Sequence, residues 1–207
     1  TAKFDGFVKG EMDDNRIPSF RLNLAVQDGF FQYPDLPTPL KDIQFNLLVD
    51  NAGNTVDNTV IDLTSGHFEM GGDPFDFRFL VKNPTSAMYL DAEAKGKVDL
   101  GNITKMVKLE QGTSISGILN ADIGIKGNVS AMQQQQISEI NSRGTIGLNN
   151  FSFASADYPD PVNLNSLLLT FNPRNVTLNN AAGSFLGTGF SANGTINNLL
   201  EYALKDK

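Results

Sequence analysis

The residues that could do chemistry are few and scattered. His67, in the segment SGHFEM, is the single histidine, and there is no cysteine. Zinc sites draw chiefly on Cys and His, so a His-based metal site lacks partners of the usual kind. A Ser-His-Asp triad would have to use His67, and no nucleophile-elbow sequence accompanies it. The surrounding alternation reads instead as a strand histidine facing solvent. The acidic groups are Asp13-Asp14 and the pair Asp73 and Asp76. Paired carboxylates serve glycoside hydrolysis or hold hard cations. Neither group has the EF-hand pattern, and Asp13-Asp14-Asn15 has β-turn composition. Gly71-Gly72-Asp73-Pro74 reads as a turn, since neither a helix nor a lysine follows to make a phosphate loop. Asn-x-Ser/Thr triplets, as at Asn102, Asn128, Asn175 and Asn193, arise by chance in so Asn-rich a chain. The expectation is a non-enzymatic protein without metal or cofactor.

The remaining candidates are aromatic. The chain has 15 Phe, 4 Tyr and no Trp. Phe30, Phe31, Phe151 and Phe153 belong to this set, and each Phe has an ordinary reading as core. The functional reading is an apolar lining that faces a ligand. Phe45, Leu47, Phe68, Phe75, Phe77, Phe79, Phe171 and Phe185 are the candidates for that lining.

Strands must position these side chains. Phe20, Leu22, Leu24 and Val26 alternate with Arg21, Asn23, Ala25 and Gln27. The same period of two runs through Ile43 to Val49, Phe75 to Val81, Ile115 to Ile125 and Leu167 to Phe171. It marks strands with one apolar and one wet face. Parallel α/β sheets would show continuous apolar runs between long helices. Short connections here favour antiparallel meanders. Asn51-Ala52-Gly53-Asn54 and Asn172-Pro173-Arg174-Asn175 have turn chemistry. Pro34, Pro37 and Pro39, and again Pro159 and Pro161, mark corners or sheet edges. Phe151 and Phe153 fall out of phase with Ile146 and Leu148, so a β-bulge is expected near Asn149-Asn150. Short helices are expected at Leu100 to Leu109, Val129 to Ile140 and Asn197 to Leu204.

One passage occurs twice. The first copy runs from Asp28 to about Asn83 and the second from Asn149 to about Asn197. Each has an aromatic strand end, a Pro-Asp corner, an alternating strand, a polar turn, a β-branched strand and a Gly-x-Phe strand. This predicts related β modules at about 20–100 and 143–200, joined by 101–142, as in an array of sheet units. The fold class expected is all-β and mostly antiparallel, as a curved or elongated sheet, groove or sandwich with a few short helices.

Composition sets outer bounds. The 207 residues carry a net charge of −7, and no run of Lys and Arg suits a nucleic-acid backbone. Absence of Cys fits the cytosol or a periplasm where disulfides are not needed. No apolar run approaches the ~20 residues that span a bilayer. The chain opens in mid-strand and closes in a helical pattern, which reads as a section of a longer protein. An apolar sheet face must bury itself against something. It either closes into a sandwich or barrel, or forms a curved sheet that holds an apolar ligand such as lipid chains.

Three stretches carry a family resemblance: GFVKGEMDDNRIPSFRLNLAVQDGFFQYPDLPTPLKDI, AKGKVDLGNITKMVKLEQGTSISGILNADIGIKGNVSAM and LLLTFNPRNVTLNNAAGSFLGTGFSANGTINNLLEYALKD. Together they cover nearly all of the chain. In their order of strands, turns and aromatics they resemble the AsmA-like family of envelope proteins, in particular the C-terminal region of its large Gram-negative members. The resemblance implies a periplasmic β-rich body, an inner-membrane anchor outside this chain and a role in outer-membrane biogenesis. Related large members form elongated β-grooves with an apolar interior, thought to conduct phospholipid between membranes. The expected partner is therefore phospholipid or another acyl lipid, with envelope proteins possible and nucleic acid not expected. The alternative is a structural or protein-binding β-sandwich acting through its sheet edges.

Overall fold

A computed structural model of the chain describes residues 1–13, 16–32, 38–106, 109–129, 141–157 and 160–197. Its strands are β1 (Ala2–Lys9), β2 (Ser19–Phe31), β3 (Leu40–Asn51), β4 (Thr59–Met70), β5 (Asp73–Lys82), β6 (Tyr89–Asp99), β7 (Ser114–Asn128), β8 (Asn141–Ala154), β9 (Val162–Phe171), β10 (Asn175–Phe185) and β11 (Thr188–Asn197). All eleven form one sheet in sequence order, each antiparallel to the next. The alternating segments thus become strands, and the short connections become the antiparallel meander they predict. The sheet is open, with β1 and β11 at its two edges. Among the described residues no second sheet packs on it, so the open sheet, and not the sandwich, is the architecture.

Burial follows from that single layer. Only Leu63, Met70, Val98 and Ala181 are fully buried apolar residues among those described. The accessible surface is 12916 Å² for a 22.5 kDa chain, against about 9500 Å² for a compact globular protein of that mass. Edge residues are barest: Phe4 in β1 is 71% exposed and Ile196 in β11 is 55% exposed. In the interior of the sheet the apolar side chains are mostly half-buried, because among the described residues no second sheet packs on them.

One expected helix is found as α1 (Leu100–Met106), which packs on β7 and β6. The expected helices at Val129 to Ile140 and Asn197 to Leu204 lie almost wholly outside the described residues, as do Pro34, Pro37 and Pro159. Pro39 and Pro161 each stand just before a strand, β3 and β9. There the missing N–H breaks no ladder.

The two copies of the repeat correspond strand for strand: β2 to β5 in the first, β8 to β11 in the second. They also share irregularities. Asn150 has φ +49°, and two residues of β8 oppose Gly117 of β7 there. Asp28 in β2 has φ +52° at a matching register shift against β3. Each bulge slips the alternation by one, so Phe31 and Phe153 stay on the apolar face. The bulge expected at Asn149-Asn150 is therefore present and has a counterpart. Both copies end in two-residue hairpins, Gly71-Gly72 (φ +64° and +86°) and Leu186-Gly187 (φ +50° and +73°). Positive φ at both central residues is the type I′ pattern, whose twist suits a tight antiparallel pair. Between the copies, β7 pairs with β6 on one side and β8 on the other, so the ladder runs through without a break.

The connection from β3 to β4 is held from within. Asn51 is 1% exposed, and its Nδ2 donates to the Thr55 carbonyl at 3.0 Å and to Thr59 Oγ1 at 2.7 Å. Its Oδ1 accepts from the Gly53 amide at 2.7 Å. Removing the amide strands several buried polar partners, so Asn51→Ala should cost about 1–3 kcal/mol. Urea denaturation measures this, and an unchanged midpoint would show that the turn holds without Asn51.

Candidate functional site

Antiparallel partners point to the same face, so the register tells which side chains line it. One row crosses β2 to β11 through Val26, Phe45, Gly66, Phe77, Ala94, Ile123, Gly144, Phe171, Val176 and Ile196. The next row holds Leu24, Leu47, Leu63, Phe79, Ala92, Ile125 and Ser142. Phe68 and Phe75 pair in a third row. All eight expected lining residues fall on this face. Phe68, Phe75 and Phe77 form an aromatic cluster, with Phe68 stacked on Phe75 at a centroid distance of 5.3 Å. The Phe77 ring lies over Gly66, where a Cβ would sit only 2.6 Å from it. Phe185 is on the same face but at the far end of β10 from Val176, the partner of Phe171. It takes no part in the cluster.

Side-chain size shapes the face. Ala92 and Ala94 on β6, and Ser142 and Gly144 on β8, are low points. Phe77 and Phe79 on β5 rise on one flank and Phe171 on β9 on the other, with Ile123 and Ile125 on β7 between. The result is an apolar trough of about 390 Å³, within the usual range for small-molecule sites. It brings together Phe77, Phe79 and Phe171, from opposite halves of the chain. Sequence reasoning missed Ala92, Ala94, Ser142 and Gly144. Small and polar side chains leave little amphipathic signal, and only the register places them beside large ones.

The trough has one polar feature. Ser142 is 2% exposed, and its Oγ has no hydrogen-bond partner among the described residues. Its register neighbour Ile125 is on the apolar face, so the hydroxyl belongs to that face too. A buried, unpaired hydroxyl is costly.

The opposite face is a lattice of ions. Arg78 contacts Asp91 at 3.0 Å and Glu93 at 3.1 Å. Lys126 contacts Asp91 at 3.1 Å, and Arg143 reaches Glu93 at 3.3 Å. Gly124 lies between Glu93 and Arg143 in the register, and the two side chains meet across β7 over it. Lys95 with Asp122, at 2.8 Å, and Lys97 with Asp73, at 2.9 Å, extend the set. These pairs tie β5 to β8 together directly behind the trough.

His67 also lies on this polar face. Its Nδ1 meets Asp76 Oδ1 at 2.7 Å, and its Nε2 is 3.5 Å from Asp42 Oδ2. Donor atoms of Asp42, His67 and Glu69 lie within 4.8 Å of one another. The side chain is 26% exposed, so it is partly covered rather than freely solvated as the sequence suggests. Asp42 comes close because it is a bulge residue with φ +48°, which local alternation does not foretell. The two acidic groups do not combine: Asp73 pairs with Lys97 and Asp76 with His67. Asp13 pairs with Arg16 at 2.7 Å, while Asp14 and Asn15 are outside the described residues.

The lattice has a pH signature. Burial pushes the Asp91 carboxyl up, but hydrogen bonding from Lys126 and the Arg78 charge outweigh it, leaving the group below its ordinary value. Hydrogen bonding and charge from Arg78 lower Glu93. The Ser86 hydroxyl, chief among several donors, lowers Asp57. A depressed carboxylate stabilises the fold fully above its unfolded value, about 4, and this is lost as pH falls through the folded value. The urea midpoint should therefore drop between pH 5 and pH 2, and drop less in an Asp91→Asn, Glu93→Gln variant. Equal acid sensitivity in both proteins would remove the lattice as its cause. In comparisons with family models, curated proteins and solved structures, nothing matches this chain.

Proposed function

We propose that the chain is a non-enzymatic acyl-lipid holder, in which lipid chains lie on the apolar sheet face and supply its missing second layer. The observation that carries this reading is the apolar row from β2 to β11, on which no second sheet packs among the described residues. Each methylene removed from water contributes about 0.8 kcal/mol, so an acyl chain along such a row gains substantially without any polar contact. A row that crosses strand after strand also lets a chain slide from one position to the next, which suits conduction as well as storage. Together with the AsmA-like order of strands and turns, this supports a periplasmic section of an inner-membrane-anchored protein of outer-membrane biogenesis.

A second reading, protein binding through a sheet edge, has one observation in its favour. β11 (TGFSANGTIN) is exposed along its whole length and carries no charge and no proline. Such an edge lacks the usual guards against strand addition.

Native mass spectrometry of gently purified protein separates the two readings, with co-purified phospholipid expected for the first. Phe45→Asp with Phe77→Asp puts two charges in one cross-strand row. It should abolish the bound lipid while circular dichroism still shows a folded β protein. Unchanged lipid content in that folded variant would defeat the groove.

A further inference from the structure

The apolar trough contains a hydroxyl that the fold does not need. At its position every neighbour in the row, from Leu47 and Leu63 to Phe79, Ala92 and Ile125, is hydrocarbon. Alanine would fill the same place without leaving a buried donor unpaired. Resting on the lipid-holding reading, we propose that Ser142 is the polar anchor of an acyl seat. Its Oγ–H donates a hydrogen bond to an acyl carbonyl oxygen, either the ester of a glycerolipid or the carboxylate of a free fatty acid.

The position of Ser142 fits that chemistry. It is the second residue of β8, next to the rim where β7 ends at Asn128 and β9 ends at Phe171. A carbonyl at Ser142 leaves the headgroup, or the carboxylate end, at that rim. The tail then runs inward across the strands, over the low floor of Ala94 and past the flank of Phe171. Rotation about χ1 between staggered wells turns the hydroxyl toward an oxygen seated there. Elsewhere the trough wall is hydrocarbon and holds the tail without regard to its headgroup. Ser142 therefore gives the seat its register: it sets where along the chain the carbonyl stops.

The test uses monomeric probes that differ at the carbonyl alone. Dihexanoyl-phosphatidylcholine has two ester carbonyls, and its dihexyl ether analogue has none. Decanoate is the fatty-acid arm. For the unaltered chain, calorimetry should show the ester binding about fivefold tighter than the ether, the effect of one net hydrogen bond. In Ser142→Ala that preference should vanish, with ether affinity unchanged and the urea midpoint no lower. If ester and ether bind alike but decanoate weakens about fivefold in Ser142→Ala, the anchor stands with a free fatty acid as its ligand. If all three bind and none responds to Ser142→Ala, the anchor is overturned while the lipid-holding reading survives. If none binds the unaltered chain, both fall.

Discussion

Everything in this molecule depends on a single β layer having one apolar face and, among the described residues, no second layer to cover it. In a sandwich the second sheet would bury those side chains, at about 25 cal/mol for each Å² removed from water. Here, among the described residues, they pack on one another within a single sheet. The fold therefore draws on what a lone layer can offer: an unbroken antiparallel ladder, cross-strand packing of Phe against Gly and Ala, and ion pairs on the reverse side. Exposed apolar patches of this extent on a protein mark a place where something binds. That is why the same property that leaves the core thin also supplies the candidate site.

The two faces are coupled through the strands they share. β5 to β8 carry the floor of the trough on one side and the Arg78, Asp91, Glu93, Lys126 and Arg143 lattice on the other. Exposed ion pairs contribute little one by one, but a lattice spanning four strands restrains their relative slip. A slip of one strand by a single residue would turn the lining Phe side chains of that strand to water. The bulges at Asp28 and Asn150 serve the same requirement, since each resets the alternation so that Phe31 in one strand, and Phe151 and Phe153 in the other, lie on the apolar side. The paired carboxylates and the histidine, which would be the first suspects for catalysis in a cleft, are absorbed into this polar lattice and its neighbours on an open surface.

The fold class was legible because alternation is local. Ile43 to Val49 and Phe75 to Val81 announce strands with an inside and an outside, whatever they pair with. The bulge at Asn150 was legible for the same reason, since Phe151 and Phe153 break phase there. The lining residues Phe45, Phe77 and Phe79 were readable as a set because large apolar side chains stand out. Ala92, Ala94 and Ser142 were not, although the trough exists because of them. Its depth is a difference in height between neighbouring strands, and no single strand contains that difference. Asp42 escaped notice for a related cause, since a bulge redirected it toward His67.

The sequence alone thus determined that the chain is built of antiparallel strands with a greasy and a wet side, because period-two patterning acts within one strand. Only the tertiary structure decided that all eleven strands join one open sheet, that Phe77 and Phe171 flank the same hollow, and that Ser142 has no hydrogen-bond partner among the described residues. Those outcomes depend on register between segments distant in the chain, and register is fixed by pairing across strands.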